Sequence, residues 1–242
     1  MIAVTELLYK LDMRLNKLSS NDFQSIPLEN KVLALNEGQI KLVKKKLDPN
    51  NTLGIGLDGF KKRYEDVQNL AVPFEKMGVQ KTDETHTSYQ ADINTLKYEY
   101  FIPLEMYAEC SRGNCTNRTI YIERVIRHGD LFTMMANNHF VPSFLYQETM
   151  AIISSNNIIV YSNDPAGDFV VDNIYLNYLR YPQKIDFEGY IHFDGTPSST
   201  QDCELVEYLA DELLDLTVLE LAMDTGNIPV VQYDQIRNKN NE

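Results

Sequence analysis

Gly54, Gly56 and Gly59 stand in the spacing G-x-G-x-x-G, which in dinucleotide-binding proteins lets a pyrophosphate approach backbone amides at the start of a helix. That chemistry needs a buried strand before the glycines and a crossover after them. Here a lysine-rich segment and the turn Asp48-Pro49-Asn50-Asn51 come first, and no βαβ pattern follows. The glycines therefore read as a flexible loop. Cys110 and Cys115 leave the four-residue gap of half a metal knuckle. The remaining cysteine is Cys203, however, and His86, His128, His139 and His192 lack the H-x3-5-H spacing that would complete a zinc site. Arg112-Gly113-Asn114 then reads as a hairpin turn with small apolar thiols beside it. For nucleophilic chemistry there is neither a G-x-S-x-G elbow nor H-E-x-x-H. Asp211 and Asp215 share a helical face, but a segment with this many acids makes such pairs by chance. The expectation is a non-enzymatic protein with no catalytic residue, cofactor or metal.

What the residues do carry is an uneven charge. The 242 residues hold 22 Lys plus Arg against 35 Asp plus Glu, a formal net charge of −13. Residues 1–90 have 13 basic and 12 acidic groups, residues 91–195 have 7 and 13, and residues 196–242 have 2 and 10. A basic coat for nucleic acid is excluded by this balance. A near-neutral front with lysine clusters and an acidic back points instead to complementary surfaces. The candidate interface is Lys41, Lys44, Lys45 and Lys46 on one side and Asp211, Glu212 and Asp215 on the other, within one chain or between neighbours. An acidic helix lining a channel that must not hold DNA is the competing use. Lys61, Lys62 and Arg63 form a second local patch and, like the first, suit an acidic partner better than DNA.

The elements that must position these groups follow from periodicity. Val4, Leu7, Leu8, Leu11, Leu15 and Leu18 recur at spacings of three and four, which predicts a helix over 5–18 with Thr5 as its cap. A second helix opens at Pro27 with the stripe Leu28, Val32, Leu35, Ile40, Val43 and Leu47, and its terminal lysines complement the helix dipole. A short helix over 60–70 completes a helical region, 1–74, and the polar stretch 75–91 reads as a linker. From Asp92 the period becomes two, with further strand candidates at 119–126, 131–135, 144–154, 157–161 and 169–180. Residues 92–195 therefore read as a central antiparallel β domain, a sandwich or partly closed barrel. A long acidic helix over 201–223, within a C-terminal region 196–226 packing on the helical region, has Leu205, Leu209, Leu213, Leu216, Leu219 and Met223 on one face. An extended tail, 227–242, ends the chain. The fold class expected is α+β.

No window holds the roughly 18 consecutive apolar residues of a membrane span, and the N-terminus meets Glu6 too early for a secretory core. A soluble chain made in a cytoplasm is expected. Three cysteines, an odd number, argue against a disulfide framework there. The 15 Tyr and 10 Phe, with no Trp, crowd the β region, where cross-strand packing takes most of them and interface anchoring some.

Read together, Val32-Leu-Ala-Leu-Asn-Glu-Gly-Gln-Ile40, Tyr178-Leu-Arg-Tyr-Pro-Gln-Lys-Ile-Asp186 and Gln201-Asp-Cys-Glu-Leu-Val-Glu-Tyr208 resemble the head-to-tail connector (adaptor) ring proteins of tailed bacteriophages. The resemblance runs from about residue 3 to residue 226 and is greatest to the ring proteins of crAss-like phages. It implies a structural virion protein, assembled in the bacterial host's cytoplasm, whose copies form a ring of about twelve beneath the portal. Its partners would be the portal protein and neighbouring tail rings, with DNA passing through the channel without specific binding. It implies no catalytic residues. The alternative from the residues alone is a carbohydrate- or protein-binding β module with a helical oligomerisation region.

Overall fold

The computed structural model describes residues 1–18, 26–47, 65–83, 86–137 and 139–224. The Gly54 to Gly59 loop, the first half of the helix expected over 60–70, the Lys61-Lys62-Arg63 patch and the tail from Asn227 lie outside the described residues. The chain is α+β, with four helices among the described residues and one curled, open eight-stranded sheet. It divides into two compact units, Met1–Leu70 with Pro182–Glu242, and Ala71–Tyr181.

In the helical unit, α1 (Val4–Leu18) buries Val4, Leu7, Leu8, Leu11 and Leu15, the spacing read from the sequence. Its start differs from the expected one. Thr5 lies inside the helix, and the Val4 N–H donates to the Asp202 Oδ1 at 3.0 Å, a cap from the far end of the chain. Helix α2 (Leu28–Leu47) follows Pro27, whose carbonyl accepts from the Lys31 N–H at 3.2 Å. Its buried face takes in Gly38 and Leu42, while Ile40 and Leu47 of the expected stripe are only half-buried. The last helix, designated α4, spans Ala210–Asp224 and does not begin at Gln201. Residues 201–206 are held extended because Cys203 pairs with Ile2, Gln201 pairs with Asp186, and Asp202 caps α1. These long-range bonds outweigh local helical propensity. Helix α4 packs on both α1 and α2. It therefore buries Leu213, Leu214, Thr217, Val218, Leu221 and Ala222, while Leu216 and Leu219 of the expected stripe are only half-buried and Met223 is exposed. At the α2–α4 crossing a Cβ on Gly38 would stand 2.9 Å from the Thr217 Oγ1, so only glycine allows this approach.

The β unit contains β1 (Ala71–Gly78), β2 (Gln80–Asp83), β3 (Thr87–Asp92), β4 (Tyr100–Arg112), β5 (Cys115–Val125), β6 (Glu148–Ser154), β7 (Asn157–Tyr161) and β8 (Val170–Arg180). Residues 75–91, expected as a linker, are thus largely strand. Their polar composition reflects edge positions with exposed residues and not a missing period. Strand β4 starts at Tyr100 and not near Leu96, because Asp92 caps a short 3-10 turn over Ile93–Thr95 by accepting from the Asn94 N–H at 2.8 Å.

The sheet order is β1-β8-β4-β5-β6-β7-β3-β2, a single sheet and not a sandwich. All ladders are antiparallel except β5–β6, which is parallel. The edge strands β1 and β2 are separated in the chain by Val79 alone, so the sheet must curl to bring its ends within one residue's reach. Alternate residues, among them Met106, Ala108, Cys110, Ile174, Leu176 and Tyr178, fill the enclosed core. The run Leu131–Met135, expected as a strand, is the short helix α3. It lays Leu131, Met134 and Met135 against Met150, Ile152 and Tyr161 on the sheet's other face. A five-residue apolar run does not by itself distinguish the two states. Residues 144–147 form a turn, so β6 begins only at Glu148.

Candidate functional site

The charged groups singled out in the sequence meet largely within the helical unit. Lys46 Nζ lies 2.9 Å from the Glu212 Oε2 and 3.1 Å from the Oδ2 of Asp66, itself buried. Burial alone would lower the Lys46 pKa, but the hydrogen bonds and charges of these two carboxylates outweigh it and raise the pKa above 10.5. Lys41 pairs with Glu220. Arg14 of α1 holds Asp211 at 2.6 Å and also pairs with Asp215. Lys41, Lys46 and all three candidate acids are thereby engaged inside one chain. The side chains of Lys44 and Lys45, in the last turn of α2, are solvent-exposed. Arg14, Asp66 and Glu220 were not legible as partners. Arg14 is separated from its partners by about two hundred residues, a distance no local spacing rule spans.

The first and third of the sequence phrases that carry the phage resemblance, and the second from Pro182 onward, lie in the same unit and bond to one another. Asn36, from the first, donates its Nδ2 to the Ile185 carbonyl at 2.8 Å and accepts the Ile185 N–H at 2.8 Å. From the second to the third, Asp186 and Gln201 exchange backbone hydrogen bonds at 3.1 and 2.9 Å, and the Gln183 N–H donates to Glu204 at 3.0 Å. A braced loop issues from this junction. Its hub is the Asp186 carboxylate, which accepts from the Phe187 N–H (2.8 Å), the Tyr190 hydroxyl (2.6 Å) and the Ser199 N–H (2.9 Å) and meets His192 Nε2 at 3.1 Å. Burial opposes its ionisation, but these bonds prevail and hold the carboxyl below its ordinary 3.8. At the tip Gly195 adopts φ +83, a left-handed turn that suits glycine. Ile191 and Phe193 beside it are exposed, Phe193 completely. A loop braced at its base with apolar side chains at its tip can make contact with little further ordering. The sequence signal was available in Asp194-Gly195-Thr196-Pro197, a turn cluster flanked by large apolar residues.

A third surface lies on the outward face of the sheet. Tyr107 is directly opposite Tyr175 on one side and Tyr121 on the other. The Tyr107 and Tyr175 rings stack at 4.8 Å and 10°. Glu105 and Glu109 flank Tyr107 along β4, with Asp172 exposed on β8. The donors they meet are neutral. Asn177 donates to Glu105 at 3.1 Å, Asn173 to Glu109 at 2.8 Å, and the Ser111 hydroxyl to Asp172 at 3.3 Å. The Tyr107 hydroxyl is pushed above its ordinary pKa by desolvation and then by Tyr175, Glu109 and Glu105.

Cys110 and Cys203 are buried and Cys115 is exposed, and burial pushes the first two thiols up to about 12 and about 11. Among the described residues no three His, Cys, Asp or Glu side chains cluster as metal ligands, and no helix is long and apolar enough to cross a membrane. Compared with known families and with curated proteins, the chain matches no family model and no curated sequence.

Proposed function

We propose that the chain is a structural subunit of a bacteriophage head-to-tail connector, forming a ring that joins the portal to the tail and continues the DNA channel of the virion. The observation that carries this reading is the junction. Three phrases up to about 170 residues apart, which together resemble connector ring proteins, are bonded to one another at Asn36–Ile185, Asp186–Gln201 and Gln183–Glu204. They form the base from which the loop with exposed Ile191 and Phe193 projects. An exposed apolar tip on a braced base suits contact with another protein chain. A ring closes only through heterologous contacts, in which two different faces of one subunit complement each other.

The alternative of a carbohydrate-binding β module fits the tyrosine face less well. Parallel rings 4.8 Å apart cover one another, whereas a sugar needs an open ring face. Mass photometry and negative-stain microscopy of the purified chain, alone and mixed with the portal protein from the same genome, test the ring reading. Rings of about twelve copies are expected. A chain that stays monomeric under both conditions overturns it.

A further inference from the structure

We infer that the outward tyrosine face of the sheet, centred on Tyr107 and flanked by Glu105 and Glu109, is the docking surface for a basic, extended segment of another protein. The inference goes beyond the ring reading and stands without it. The aromatic platform, its charge and its spacing each bear on the partner.

The platform is built across four strands. Tyr175, Tyr107 and Tyr121 stand in register on β8, β4 and β5, and the Phe74 ring from the β1 bulge lies 6.0 Å from that of Tyr107. Phe74 and Tyr121 are both exposed. Phe74 holds φ +49, a left-handed conformation that is an outlier for a bulky side chain. Asn177 supports it, accepting the Phe74 N–H on its Oδ1 and donating its Nδ2 to Glu105. One amide thus fixes an exposed ring and an exposed carboxylate together. Backbone strain of this kind, held beside an uncovered aromatic surface, marks a surface kept for binding.

The charge selects a cation. Glu105, Glu109 and Asp172 are held by amide and hydroxyl donors, which fix the carboxylates without cancelling them. Glu148, exposed on β6, is in register with Tyr121. A nucleic acid is repelled by these groups, and an apolar partner would bury them unpaired at a large cost. A lysine or arginine meets both parts of the surface, its head on a carboxylate and its stem along a ring. The structure holds an example at the rim, where Lys76 Nζ lies 5.9 Å from the centre of the Tyr175 ring.

The spacing selects an extended chain. Glu105 and Glu109 are four residues apart on β4, which places their Cα atoms about 13 Å apart. Side chains four residues apart in an extended partner share a face and have the same separation. On a helix the same four residues rise only about 6 Å, less than half the span.

The test titrates the full-length chain with a nonapeptide of alternating arginine and threonine, which sets arginines two and four residues apart on one face, by isothermal titration calorimetry at low and at physiological salt. Glu105→Gln/Glu109→Gln keeps an acceptor oxygen for Asn177 and Asn173 and is expected to weaken binding at least about tenfold. Tyr121→Ala is expected to weaken it about threefold through the lost ring. Glu37→Gln/Glu207→Gln removes the same charge from exposed positions of the helical unit and is expected to change binding less than about twofold. No binding at millimolar peptide overturns the inference. So does a loss in the control pair equal to that in Glu105→Gln/Glu109→Gln, which would mean attraction by net charge alone. Glu105→Gln/Glu109→Gln that binds peptide normally but loses self-association in mass photometry gives the face to a second copy and also overturns it. A chain that binds the peptide as expected yet stays monomeric, alone and with portal, keeps this inference and overturns the ring reading.

Discussion

The acidic residues of α4 in the helical unit and those on the outward face of the sheet in the β unit are held in opposite ways. In the helical unit Asp211, Asp215, Glu212 and Glu220 meet Arg14, Lys46 and Lys41. In the β unit Glu105, Glu109 and Asp172 meet asparagine amides and a serine hydroxyl. A matched carboxylate contributes to the unit that contains it. One held by neutral donors keeps its charge and is available to another molecule. Acidity counted along a sequence does not separate these cases; the identity of the donor does.

The contrast can be broken most forcefully at the packed helices. Leu213, fully buried at the centre of α4, should cost about 2–5 kcal/mol when changed to alanine, read by urea unfolding at the helical circular-dichroism band. A loss near zero would mean that α4 is held by its ion pairs more than by its core. Gly38→Ala should cost about 1–3 kcal/mol in the same experiment, because the new methyl meets the Thr217 side chain at 2.9 Å and its backbone nitrogen at 3.4 Å.

The charge substitutions sharpen the comparison. Lys46→Met leaves the buried Asp66 without its cation and should lower stability by about 1–3 kcal/mol, whereas Glu105→Gln should stay within about 0.5 kcal/mol of the parent. The pH dependence has a definite sign. The folded-state pKa of Lys46 lies above 10.5, so its contribution is complete below that value and disappears as pH rises through the folded pKa. The parent and Lys46→Met should therefore converge in stability at alkaline pH, and a gap that persists there would assign the Lys46 contribution to packing of its stem.

Much of the fold was legible because it is local. The buried positions of α1 and the switch to period two in the β region follow from the side-chain repeats of helix and strand. Along β4, Glu105, Tyr107 and Glu109 alternate with the buried Met106, Ala108 and Cys110, an outer and an inner face. What misled was also local. Gln201 to Val206 has helical spacing, but Cys203 and Asp202 are claimed by Ile2 and Val4. Leu131 to Met135 has strand-length apolarity, but its side chains cover a patch of sheet as a helix. The braced loop was hidden because its hub, Asp186, is one acid among many until Tyr190, His192 and Ser199 close around it.

The sequence by itself determined the α+β class, the two amphipathic helices at the front, the strand-rich middle and the opposition of lysines and acids, because each depends on periodicity or composition. Only the tertiary structure decided that 75–91 belongs to the sheet, that the sheet is single and curled, and which charges are spent inside the chain. Those outcomes depend on pairings across tens to hundreds of residues, where the energy of a contact is fixed by which side chain arrives opposite and not by what stands next to it in sequence.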